Sequence, residues 1–284
     1  LRLISFTGDS EPTAAVLLGD RLVPTAALGA PADMRGLLAG SDADDLRDLA
    51  ARAADTTVAE SIRLADIELC APVPDPQKII CIGLNYSDHA AETGQDIPTA
   101  PMWFAKFANS LCGSGQPIVL PVAHAEYVDY EAELALVIGR TARNVTDHHA
   151  LSCIAGAMPF NDVSARDLQL QNPLWTSGKA IDTFAPCGPA LVTLDEIGDL
   201  SALRLRTRIN GETLQEGTTS NLIFGPAELV AWLSRTMTLL PGDIIATGTP
   251  AGVGATQGRF LRDGDTVEVE IDGLGTLSNP IRSE

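Results

Sequence analysis

The 284-residue chain has 37 acidic against 19 basic side chains, a formal net charge of −18, and 45% hydrophobic residues. This is a globular composition, long enough for one large domain or a large and a small one. It argues against nucleic acid as a partner, which needs a basic face, and against a membrane span, since no apolar run approaches ~20 residues.

The opening Leu1-Arg-Leu-Ile-Ser-Phe6 reads as a strand without a signal-peptide h-region, so the expected location is the cytoplasm. Gly19-Asp20 between two apolar runs signals a hairpin. Residues 41–54 form an acidic-first helix with Ser41 as its expected N-cap. These segments make a small α+β unit, residues 1–72, closed by the proline-rich Ala71-Pro-Val-Pro-Asp-Pro76. The second unit, residues 73–284, reads as α+β and β-rich. It starts with a buried strand, Lys78 to Gly83, and a short helix to Glu92 capped by Asn85 or Ser87. Strands are expected at Trp103–Phe107, Ile118–Leu120, Gly156–Asp162, Leu203–Ile209, Asp243–Thr247 and Thr266–Ile271. Asn210-Gly211 and Asp272-Gly273 mark hairpins, and Pro226 to Met237 a helix. Five scattered cysteines with no close pair read as reduced core residues.

The most informative stretch is Glu126 to Gly139. A period of two places Val128, Tyr130, Ala132, Leu134, Leu136 and Ile138 on one face, and Asp129, Glu131 and Glu133 on the other. Carboxylates where a strand enters a core suit a hard divalent cation; the alternative is a solvated face of an edge strand. His89 and Glu92, three apart on a helix, share a face, as a proton shuttle or as an exposed pair. Asp162 is a third metal oxygen or a helix cap. Arg166 and Gln169 face one way, and an arginine fork suits a substrate carboxylate or a surface ion pair. Lys179 is one of only three lysines, with Lys78 and Lys106, and beside a metal it would steady an enolate. The glycine-rich block Pro241 to Gly254 is either an anion-binding set of amides or a structural turn.

Five blocks in order resemble the fumarylacetoacetate hydrolase family: Ile82 to Glu92, Tyr130-Glu-Ala-Glu-Leu134, Asn161 to Asp167, Trp175-Thr-Ser-Gly-Lys179 and Pro241 to Gly254. The resemblance covers residues 75 to 280. It implies a mixed β-sandwich roll after a small N-terminal domain, assembled as a homodimer. It implies Glu131, Glu133 and Asp162 as ligands of Mg²⁺ (or Mn²⁺, Ca²⁺), and His89 with Glu92 and Lys179 as catalytic residues. Arg166, Gln169, Thr249 and Lys106 match positions that hold an oxo-acid substrate. Phe107 follows Lys106 where the family commonly has proline. The expected reaction is metal-dependent hydrolysis of a C–C bond in a 2,4-dioxo acid. The alternatives are an oxaloacetate-type decarboxylase or a 2-hydroxydienoate isomerase on the same metal-enolate site.

Overall fold

The computed structural model describes residues 1–8, 11–55 and 61–284. Ten strands form one sheet in the order Ile62–Arg63, Arg21–Pro24, Thr13–Leu18, Arg2–Phe6, Leu191–Thr193, Ile154–Asn161, Ala132–Ile138, Ile244–Ala246, Ile79–Gly83 and Met102–Lys106. The N-terminal strands thus continue the sheet of the second unit, with Leu3 opposite Leu191. A five-stranded sheet runs Glu212–Thr218, Arg204–Ile209, Thr266–Ile271, Gly275–Ser283 and Ile118–Leu120. The molecule is α+β and β-rich, as its sequence implies.

The strand Ala132–Ile138 lies inside the large sheet, between Ile154–Asn161 and Ile244–Ala246, and every one of its residues is buried. Leu134, Leu136 and Ile138 pack with Leu205, Val269 and Ile271 of the second sheet and with the helix Pro226–Ser234. Ala135 and Val137 pack the other way, against Met158, Phe160 and the helices Met34–Gly40 and Ala43–Asp55. Burial on both faces explains why its apolar residues run on without a break after Glu133.

Three expectations are corrected. The strand Glu126 to Gly139 is not continuous: Val128–Asp129 pairs separately with Ser164–Ala165, and the ladder restarts at Ala132. Asp129 therefore leaves the row formed by Glu131 and Glu133. The helix at residue 43 is capped by Asp42, whose Oδ1 accepts from the amides of Asp44 and Asp45, and not by Ser41. Neither Asn85 nor Ser87 caps the helix Ser87–Thr93; Tyr86 holds the cap position without a side-chain bond. Asn85 instead donates to Thr247 O (2.8 Å) and Phe224 O (3.0 Å) and accepts from Phe224 N (2.8 Å). This pins the root of the helix to the strand end that opens the glycine-rich block. Among the described residues all five cysteines are free thiols and four are buried.

Candidate metal and substrate site

Glu131 and Glu133 stand at the rim of the central strand. Asp162 follows the neighbouring strand, its amide bonded to Glu131 O at 2.9 Å. One carboxylate oxygen from each residue lies within 4.8 Å of the others, and all three residues are buried. Three all-oxygen donors this close suit a hard divalent cation.

The surrounding groups test that fit. Lys179 Nζ donates to Glu131 Oε2 and Asp162 Oδ2, each at 2.9 Å. Arg166 Nη1 lies 2.7 Å from Glu131 Oε1. Burial pushes the Glu131 carboxyl up, but Lys179 and Arg166 outweigh it and hold it at about 2. Among the described residues, Glu133 accepts from the amide of Gly248 alone, at 2.8 Å. Burial and the charges of Asp162 and Glu131 push its carboxyl well above the ordinary range. Asp162 Oδ1 is buried and faces Lys106 Nζ at 2.8 Å, a charge contact without a further hydrogen bond among the described residues. A buried carboxylate pushed toward its neutral form by two neighbouring carboxylates is what a divalent cation between them would relieve. The residues present fit a divalent metal.

The charges of the group agree. Four buried carboxylates, with Asp129 added, face Lys106, Lys179 and Arg166, which leaves one net negative charge. A divalent cation would turn that to one positive charge, matched to an anionic substrate.

A cavity of about 220 Å³ opens over the cluster and is lined by His89, Glu131, Glu133, Arg166, Lys179 and Thr249. The apolar part of its lining is Leu84, Phe104, Trp175 and Val253. Phe104 and Trp175 meet edge to face at 5.6 Å, and Lys179 Nζ lies 5.1 Å from the Phe104 ring centre. Gly83 permits this wall, because a Cβ there would overlap the Trp175 ring. A larger cavity of about 520 Å³, between Leu46, Arg47, Ile154 and Leu194, shares no residue with this one.

The other expected site residues fall as follows. His89 Nδ1 faces Glu92 Oε2 at 3.4 Å. Glu92 is held more firmly by the glycine-rich block: Gly252 N donates to both of its oxygens at 3.1 Å, and Thr256 Oγ1 to Oε1 at 2.7 Å. Gln169 accepts from Arg166 Nη1 at 3.0 Å, and Thr249 accepts from Gln215 Nε2 at 2.9 Å. Lys106 does not line the cavity. It is buried behind Asp162 and donates to the carbonyls of Val163, Lys179 and Phe184 at 3.0, 2.5 and 2.6 Å. Its place is that of a support for the loops carrying Asp162 and Lys179.

The glycine-rich block does bind anions, but they are the chain's own. Gly248 holds Glu133, Gly252 holds Glu92, and Gly254 and Ala255 hold Asp129. Sequence reasoning missed Asp129, Gly252 and Thr256 as parts of the site. Asp129 was signalled as the unassigned third acid of Glu126 to Gly139 and Gly252 by the glycine-rich block, while Thr256 lies just beyond that block.

Comparison with known proteins agrees with this architecture. The model of the fumarylacetoacetate (FAA) hydrolase C-terminal family matches residues 78–282. Oxaloacetate tautomerase fahd2, mitochondrial, from Xenopus laevis is 46% identical over 221 residues, covering 76% of this chain and 69% of that protein. The solved fumarylacetoacetate hydrolase of Exiguobacterium antarcticum superimposes with a TM-score of 0.86 at 33% identity, covering 100% of this chain and 99% of that one. Maleylpyruvate hydrolase from Sphingobium sp. SYK-6, solved with manganese(II) and pyruvate, gives 0.83 at 31% identity, with the same coverage.

Proposed function

The chain belongs to the fumarylacetoacetate hydrolase family, and on that premise we propose that it is a divalent-metal-dependent keto–enol tautomerase of a small 2-oxo acid of the oxaloacetate type. The observation that carries this reading is the buried carboxylate trio of Glu131, Glu133 and Asp162 under a cavity that His89 also lines. The tautomerase relative from Xenopus laevis supports the substrate class, and a cavity of about 220 Å³ suits a four-carbon acid better than a bulky sugar acid. C–C bond hydrolysis, the reaction expected from the sequence, becomes the second reading.

Glu131, Glu133 and Asp162 would hold Mg²⁺ or Mn²⁺, with Lys179 and Arg166 fixing the first and Lys179 the third. When bound, the cation supplies Lewis acidity to the carboxylate and keto oxygens of a 2-oxo acid. In this reading His89 carries the proton between C3 and the keto oxygen of the substrate, supported by its position in the cavity lining. Its Nδ1 faces Glu92, which leaves Nε2 as the nitrogen for proton transfer. Glu92 keeps that orientation through Gly252 and Thr256. The aromatic wall of Phe104 and Trp175 limits water at the reacting carbon.

Hydrolysis draws its support from the same His89–Glu92 pair, which also suits water activation, and from the maleylpyruvate hydrolase likeness. One assay separates the two. Purified protein with Mg²⁺, Mn²⁺ or EDTA is given oxaloacetate, following enol absorbance and CO₂, and acetylpyruvate, following pyruvate. Metal-dependent loss of the enol signal without CO₂ supports the tautomerase. Pyruvate from acetylpyruvate with an unchanged enol decay rate would replace it with the hydrolase, and CO₂ from oxaloacetate with a decarboxylase.

A further inference from the structure

Asp129 has no part in the metal trio, yet it is fully buried and its carboxylate is saturated with donors. Oδ1 accepts from the amides of Tyr130 at 2.8 Å and Gly254 at 2.6 Å. Oδ2 accepts from the amide of Ala255 and from Arg166 Nε at 2.9 and 2.8 Å, with Arg166 Nη2 at 2.7 Å. Gly254 is required for this approach, since a Cβ there would stand 2.5 Å from Asp129 Oδ1.

Arg166 is held at several points. Nε and Nη2 face Asp129, while Nη1 faces Glu131 at 2.7 Å and Gln169 at 3.0 Å. A guanidinium has five N–H donors, so one Nη2 hydrogen is left uncommitted at the cavity that Arg166 lines. The fork geometry makes the direction of that donor a function of where Asp129 holds the other edge. Glu92 grips the same turn at Gly252 and Thr256 that Asp129 grips at Gly254 and Ala255.

We infer that Asp129 is a positioning residue: it aims the free N–H of Arg166 at the carboxylate of the bound 2-oxo acid, and fixes the Gly254–Gln257 turn on which Glu92 rests. It acts on substrate binding through Arg166, and not on the metal. The inference rests on the reading of the cavity as a 2-oxo acid site.

The test compares the full chain with Asp129→Asn, Arg166→Lys and the double variant. Three quantities are read: the slowly exchanging Arg166 Nε–H resonance in the Mg²⁺-loaded protein, identified by its loss in Arg166→Lys; Mn²⁺ affinity by electron paramagnetic resonance; and oxalate affinity by calorimetry with Mg²⁺. In Asp129→Asn the protected Nε–H resonance disappears and oxalate binds about tenfold more weakly, the size of one charge-assisted hydrogen bond. Mn²⁺ affinity stays within about threefold, and the double variant binds oxalate no worse than Arg166→Lys alone, as expected for coupled residues. A retained Nε–H resonance overturns the inference. So does a loss of Mn²⁺ and oxalate affinity in equal proportion, which a merely structural role would give. If the unaltered protein binds no oxalate, the proposed function falls, and the Nε–H resonance alone decides the role of Asp129. Should Asp129→Asn not fold, Asp129→Glu keeps the charge while moving the carboxylate relative to Arg166 Nε. There a shifted Nε–H resonance supports the inference and an unmoved one sinks it.

Discussion

Lys106 Nζ lies 2.8 Å from Asp162 Oδ1, a buried ion pair. It also donates to three main-chain carbonyls. Burial pulls the ammonium's pKa down, and Asp162 pulls it back. The lysine thus balances the charge of Asp162 while tying together the loops that carry Asp162 and Lys179.

Replacing it separates this supporting role from substrate contact. Lys106→Met strands three carbonyls and an unbalanced buried carboxylate, so the expected loss is about 3–5 kcal/mol of stability. Urea unfolding of the metal-free protein measures it. An unchanged midpoint with a raised KM would return Lys106 to the substrate.

Stability without metal depends on pH through Glu133. Its folded pKa is raised above its unfolded value, so its favourable contribution is complete below the ordinary carboxylate range and is lost as pH rises through the raised pKa. Glu131 works the other way: its contribution is present above the ordinary range and lost only as pH falls through about 2. Between about pH 5 and pH 8 Glu133 therefore dominates this pair. The EDTA-treated protein should melt lower at the upper end, and saturating Mg²⁺ should raise the midpoint more there. At a hundredfold excess over Kd the gain is about 2.7 kcal/mol. Equal metal-induced shifts at both ends would contradict the assignment of Glu133 as a ligand.

Proton transfer by His89 predicts that His89→Ala keeps Mn²⁺ and loses about 10²–10⁴ in kcat. Thr256→Val removes one donor to Glu92 and should cost about tenfold in kcat with KM held, while Thr256→Ser restores most of it. A Thr256→Val enzyme with full kcat would show that Gly252 alone holds Glu92.

Gly83→Ala addresses the aromatic wall. The new methyl must displace Trp175, so kcat/KM should fall by about tenfold to a hundredfold with Mn²⁺ affinity kept. Unaltered kinetics would mean that Trp175 takes no part in closing the cavity.

Much of this was legible in the sequence. The strand positions follow from periodicity and turn residues: Asn210 and Gly211 take positive φ as a type I′ turn requires, and arginine alternates with buried Leu205, Thr207 and Ile209. Glu131, Glu133 and Asp162 meet in space as the spacing and the resemblance imply. The break at Tyr130 was not legible, because a period of two is kept across it while the hydrogen-bond partner changes. Which partner each acid would find was hidden for a similar reason. Asp129, Glu133 and Glu92 are claimed by amides of residues 248 to 255, and a main-chain donor carries no signature in its side chain. The burial of Lys106 depends on carbonyls from three distant segments, which no local pattern encodes.

The parallel pairing of Ile79–Gly83 with Ile244–Ala246 sets an order of events in synthesis. Lys78 N finds Asp243 Oδ1 only across 165 residues of chain. During translation the acids of the site emerge well before the amides that receive them, and the central strand Ala132–Ile138 waits with one edge open. Closing such a long loop is slow. The nascent chain therefore carries Glu133 and Asp129 without their amide donors, beside an unpaired apolar strand, until residues 244 to 255 arrive, the interval in which a free divalent cation or a chaperone would matter most.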